Sequence, residues 1–206
     1  HDMGLIGSYL GTLYCGGSGY YLSPVTFVRR PVCWIEIMSK YKATHTQAPN
    51  FAFKLAARKY NELSASKRPT DLDLSSMEHM FNAAEPVTME ALNDFQTTFG
   101  PYGLPDGVIV PGYGLAEHTV YVTDRGTQKL KVKRNILKNE HRIELVHDED
   151  DDEKSTQVII GCGVPTKARG VDVRIVNKTT CEEVKEDCVG EVWVNSPSKA
   201  NGYYNM

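Results

Sequence analysis

Helical and strand-like spacings of apolar residues alternate along the first 124 positions of the chain. Residues 5–14 suit a helix, and Tyr20-Tyr21-Leu22 reads as a short buried strand ended by Ser23-Pro24. Pro31 fits a first helical position, and after it Trp34, Ile35, Ile37, Met38 and Tyr41 recur with helical period. Thr44 to Gln47 is strand-like, and Pro49 opens a helix that reaches about Tyr60. Asp71 to Ser76 is a polar turn, Met77–Phe81 the next strand, and Thr88 caps a helix running to about Phe99. Val108-Ile109-Val110 is then a strand with a turn at Tyr113. This alternation predicts an α/β fold whose parallel sheet is covered by helices.

The pattern changes beyond residue 124. Residues 125–142 hold Arg125, Lys129, Lys131, Lys133, Arg134, Lys138 and Arg142 against one acid, Glu140, and six acids follow from Asp148 to Glu153. Such neighbouring runs fit a solvated insertion whose halves partly neutralise each other, or a docking surface for another domain. Gln157–Ile160, Val171–Val176 and Gly190–Asn195 read as short strands between turns. The expected organisation is an α/β part over residues 1–124, a charged insertion over 125–156 and a small β subdomain over 157–206.

Composition narrows the class. The 206 residues suffice for one domain with a buried core, and 41% hydrophobic with 24% charged content is that of a soluble globular protein. A net charge of −3 gives no general case for nucleic acid or an anionic membrane as partner. No apolar run approaches the ~18 residues of a membrane span, and no signal peptide is evident. Cys15, Cys33, Cys162, Cys181 and Cys188 lack metal-binding spacing, which suits reduced thiols in the cytoplasm. The absent initiator Met and the abrupt end at Met206 suggest an internal piece of a longer protein.

Two segments carry candidate chemistry. In Tyr113-Gly114-Leu115-Ala116-Glu117 an aromatic ring can stack on a purine, a glycine lets backbone approach a ligand, and a carboxylate offers hard oxygen to Mg²⁺. Asn82-Ala83-Ala84-Glu85-Pro86 ends the preceding strand. Both fall at carboxyl ends of predicted strands, where ligands bind in such sheets. The plainer alternatives are a core tyrosine, a helix-start carboxylate and an ordinary strand-to-helix turn. The histidines, including His45, His79, His118, His141 and His147, show no ligand spacing, and Ser64-Ala65-Ser66-Lys67 lacks the companions of a catalytic Ser-x-x-Lys.

Taken together, these blocks resemble adenylate-forming enzymes, and among them the fatty acyl-AMP ligases. His1-Asp2-Met3-Gly4-Leu5-Ile6-Gly7 is similar to the family's fourth core motif, Pro49 to Phe53 to its acyl-tunnel helix, and Asn82 to Val87 to its adenine segment. Tyr113 to Glu117 resembles the fifth motif, while Val189 to Val194 and Ala200 to Asn205 resemble the β subdomain and sixth motif. The resemblance implies part of the N-terminal AMP-binding domain: a helix-flanked mixed sheet followed by a small β subdomain. It implies a catalytic and metal role for Glu117, and adenine or AMP binding by Ala83, Ala84, Glu85, Pro86, Tyr113, Gly114, Leu115 and Ala116. His1, Met3, Gly4, Asn50 and Phe51 would bind the acyl chain. Ala83 stands where the ligases commonly carry Gly.

The implied reaction joins a fatty acid to the α-phosphate of ATP with Mg²⁺, giving acyl-AMP for an acyl-carrier protein, polyketide synthase module or other acceptor. Ala116 and the insertion favour the acyl-AMP branch over an acyl-CoA synthetase. A non-catalytic ligase-like binding domain of a larger regulatory protein is the remaining alternative. The family's phosphate loop and C-terminal catalytic lysine have no counterpart among these residues, so the chain alone is expected not to catalyse adenylation.

Overall fold

The structure, a computed structural model, describes residues 1–146 and 154–205. His147 and the acidic run Asp148–Glu153 therefore lie outside the described residues. The chain opens with a π-helical stretch, Met3–Leu10, that continues into α1 (Gly11–Cys15). Next come α2 (Pro24–Arg29), α3 (Val32–Lys40), β1 (His45–Pro49), α4 (Asn50–Glu62), β2 (His79–Ala83), α5 (Met89–Phe99) and β3 (Ile109–Pro111). Strands β1, β2 and β3 form one parallel sheet in sequence order, with Pro49 opposite Ala83 and Asn82 opposite Pro111.

Periodicity explains why the helices bury one face. In α4, Ala52, Phe53, Ala56, Ala57 and Tyr60 are buried while Lys54, Arg58 and Glu62 face outward. In α5, Ala91, Phe95 and Phe99 recur every fourth residue, and the Thr88 hydroxyl caps the helix by accepting from the Ala91 amide at 3.3 Å. Trp34 from α3 meets Phe53 edge-on at 5.3 Å between centroids, Phe53 meets Phe95 at 5.1 Å, and Phe95 lies 4.7 Å from Phe99. This cluster packs under the sheet face that carries Ala48 and Met80. The Trp34 indole N–H donates to the Thr46 hydroxyl at 3.2 Å, fixing α3 to β1.

The opposite sheet face is covered differently. The Gln47 amide on β1 donates to the Met3 carbonyl at 2.7 Å and to the Ser8 hydroxyl at 2.5 Å, so the N-terminal helix lies against it. Antiparallel pairs follow: β4 (Thr123–Asp124) with β7 (Val164–Pro165), β5 (Lys129–Lys133) with β6 (Thr156–Ile160), and β8 (Asp172–Val176) with β9 (Glu191–Asn195). Helix α6 (Arg134–Glu140) follows β5, and Val132 of that strand is fully buried. The basic residues here find partners of their own: Lys133 pairs with Glu144 at 2.6 Å and Arg142 with Asp187 at 3.4 Å.

One expectation fails. Tyr20-Tyr21-Leu22 is neither strand nor buried: Tyr20 and Tyr21 are about half exposed, and Tyr20 stacks on Tyr41 at 3.8 Å. No strand among the described residues lies alongside to receive its hydrogen bonds, and Ser23-Pro24 starts a helix, the Ser23 hydroxyl accepting from the Thr26 amide at 3.1 Å. The strand expected at Met77–Phe81 begins two residues later, because Met77 is drawn into the core by the turn that hydrogen-bonds it to Leu74. None of the described helices is long and apolar enough to cross a membrane.

Phe95 touches Trp34, Phe53 and Phe99 and is fully buried. Phe95→Ala is expected to destabilise the fold by about 3–5 kcal/mol, read as a lower urea midpoint with an unchanged slope.

Candidate functional site

Parallel pairing brings the carboxyl ends of β1, β2 and β3 to one edge, and the segments following them form the candidate site. Past the end of β3, the Gly112 amide donates to the Asn82 carbonyl at 3.0 Å, which joins the two chemistry-bearing segments directly. A side chain at Gly112 would strike the Phe81 ring at 2.0 Å, so only glycine allows this approach. The Tyr113 amide and carbonyl then pair with Thr123, at 3.0 and 2.9 Å, folding residues 113–123 into a closed loop. Inside it, a Cβ on Gly114 would fall 1.5 Å from the Val120 carbonyl oxygen. Thr119 and Val120 both take left-handed backbone, at φ 54° and 74°, which for a β-branched valine is strained.

Asn82 and Asn50 form the polar centre of this edge. The Asn82 amide donates to Asn50 Oδ1 at 3.3 Å, and Asn50 binds both the Thr88 hydroxyl and the Thr88 amide at 3.3 Å. Asn82 is fully buried, yet its Oδ1 finds no partner among the described residues. A buried acceptor left without a donor costs free energy, and this one lies in the segment that also carries Ala83 to Pro86. Sequence reasoning placed Asn82 in the segment without giving its side chain a role, and nothing local to the sequence reveals that one of its atoms is left unpaired.

The other expected site residues fall in different places. Ala83 is buried at the end of β2, while Ala84, Glu85 and Pro86 are exposed. Ala84, not Ala83, adopts the left-handed backbone, at φ 71°, so the local preference for glycine lies there. The Glu85 carboxylate accepts from the Phe51 amide in the first turn of α4, where the helix dipole favours a negative charge. Phe51 is half exposed and meets Phe27 edge-on at 6.4 Å. Met3 is buried against β1 through Gln47. His1 and Gly4 are exposed, His1 Nδ1 lying 2.7 Å from Asp2 Oδ1 and no atom lying within 4 Å of a Cβ at Gly4.

Glu117 stands in a short turn, Ala116–His118, with Leu115 before it and Ala116 exposed. Its carboxylate accepts a hydrogen bond from the Tyr203 hydroxyl. That bond, with a backbone amide second, holds the Glu117 carboxyl below the usual range, and the same bond raises the Tyr203 phenol. A carboxylate kept ionised fits a Mg²⁺ that takes one protein carboxylate and completes its shell with phosphates and water. His118 beside it is buried, with Nδ1 2.8 Å from the Ser196 hydroxyl, so it serves the fold rather than a metal.

Residues 1–204 match the family model described as AMP-binding enzyme. Among curated relatives, the medium-chain-fatty-acid–[acyl-carrier-protein] ligase JamA of Moorena producens is 36% identical over 211 aligned residues, covering 100% of this chain and 34% of that protein. The ligase of the same description, TtuA, of Teredinibacter turnerae is 30% identical, covering 99% of this chain and 31% of that one. The solved structure of a fatty acyl-adenylate ligase from L. pneumophila, in complex with acyl adenylate and pyrophosphate, superposes with a TM-score of 0.86 at 34% identity. It covers 100% of this chain and 35% of that one. The chain thus spans about a third of the length of the curated relatives it matches.

Gly114→Ala forces backbone against backbone, and the expected cost is about 1–3 kcal/mol concentrated in this loop. Amide hydrogen exchange should show Tyr113 and Thr123 losing protection while the amides of α4 and α5 keep theirs.

Proposed function

Because the chain belongs to the AMP-binding enzyme family, we propose that the whole protein activates a fatty acid with ATP. The fatty acid carboxylate attacks the α-phosphorus, the bond to the pyrophosphate leaving group breaks, and acyl-AMP forms for transfer to an acyl-carrier protein. The bacterial relatives, ligases joining medium-chain fatty acids to acyl-carrier protein, support this acceptor. The observation that carries the reading is the backbone hydrogen bond from Gly112 to Asn82, which brings the aromatic-glycine-carboxylate turn beside the Asn82 to Pro86 segment at the carboxyl ends of β2 and β3.

In this reading Tyr113 stacks on adenine, and the turn at Ala83, Ala84, Glu85 and Pro86 borders the base. Gly114, Leu115 and Ala116 carry the backbone past the nucleotide. Mg²⁺, where bound, neutralises charge on the phosphates as two anions meet. Glu117 would hold it through its ionised carboxylate. Met3, Asn50 and Phe51 contribute to the acyl side, with Asn50 acting through the network that positions Asn82. His1 and Gly4 stand at the exposed start of the first helix.

The test is calorimetric binding of a non-hydrolysable palmitoyl-adenylate analogue to the chain. Tyr113→Ala is expected to weaken binding by about 1–3 kcal/mol, whereas Glu117→Ala leaves analogue binding and removes only its dependence on Mg²⁺. Equal affinity of the wild-type chain and Tyr113→Ala would sink the adenine assignment. Fatty-acid-dependent ATP–pyrophosphate exchange by the chain alone is expected to be absent.

A further inference from the structure

The turn carrying Glu117 makes backbone hydrogen bonds of its own and is also gripped by a distant segment. It leads into the left-handed residues Thr119 and Val120, a backbone that must be held from outside. Residues 196–203, far along the chain, run across it and supply that hold. The Ser196 hydroxyl meets His118 Nδ1 at 2.8 Å, and the Ser198 hydroxyl donates to the His118 carbonyl at 3.0 Å. The Thr119 hydroxyl donates to the Ser198 carbonyl at 3.0 Å, and the Ala200 amide to the Glu117 carbonyl at 2.7 Å. The strap ends on the Glu117 side chain itself, where the Tyr203 hydroxyl donates to Oε1.

A carboxylate has lone pairs on both oxygens, so a donor on Oε1 leaves Oε2 available. Carboxylates that ligate metals are themselves hydrogen-bonded by neighbours that fix their orientation, and removal of such a neighbour weakens metal binding. Tyr203 is 63% exposed, so its hydroxyl adds little to the core while it fixes one rotamer of Glu117. We propose that Tyr203 is a positioning residue for Glu117, orienting the carboxylate so that Oε2 faces the cation of a metal–nucleotide complex. The inference rests on the assignment of Glu117 as the Mg²⁺ ligand.

The experiment measures Mn²⁺ affinity in the presence of saturating ATP, by electron paramagnetic resonance. It compares the wild-type chain, Tyr203→Phe, Glu117→Gln and the double variant, with melting temperatures taken alongside. Tyr203→Phe is expected to weaken Mn²⁺ binding about 10–100-fold with an unchanged melting temperature, and the double variant to bind no more weakly than Glu117→Gln. Wild-type affinity in Tyr203→Phe, against weakened binding in Glu117→Gln, overturns the role of Tyr203 and keeps that of Glu117. A loss of affinity in Tyr203→Phe that tracks a lowered melting temperature also overturns it. Wild-type affinity in Glu117→Gln overturns the metal assignment itself, and the inference with it.

Discussion

Parallel strands deliver all their carboxyl ends to one edge, and in this chain the interlocked rings of Trp34, Phe53, Phe95 and Phe99 hold three such strands in register. Those rings bury one face of β1 and β2, and a slip of one residue would turn Met80 and Asn82 away from the core. The register in turn sets Asn82 opposite Pro111, one residue before the glycine that closes on it. The meeting of these two segments is therefore a consequence of how an apolar face is buried beneath them.

Glycine decides the close approaches above that edge. Gly112 lies flat against the Phe81 ring, and Gly114 against the Val120 carbonyl. A turn so tight stores strain, visible in Thr119 and Val120, and the protein holds it with hydrogen bonds from residues 196–203. Rigid strands below and a hydrogen-bonded strap above leave Glu117 with little freedom. A side chain already held in one position loses little further freedom in any contact it makes.

The charged segment beyond residue 124 is knitted into the β part rather than appended to it. β5 pairs along its length with β6, and Arg134 donates to the Thr156 carbonyl at 2.9 Å. Arg142 reaches Asp187, far along the chain. Arg125, Lys129, Arg134, Lys138 and Arg142 stay exposed to solvent, while Lys133, Arg134 and Arg142 each meet a polar partner.

The sequence by itself determined the α/β alternation, most helix boundaries and the two segments that meet at the sheet edge. These rest on local rules: apolar periodicity in α4 and α5, the Thr88 cap, and glycine where backbone must come close. It failed at Tyr20 to Leu22, where an apolar run found no neighbouring strand, since a strand exists only if another chain segment accepts its hydrogen bonds. Ala83 stands where the ligases commonly carry Gly, and the left-handed backbone of this turn lies one residue later, at Ala84. Only the tertiary structure showed that Asn82 Oδ1 is buried without a partner among the described residues, that Glu85 caps α4, and that Tyr203 reaches Glu117. Each of these depends on which distant atoms share a space, and that is settled by packing the whole chain rather than by any window of residues.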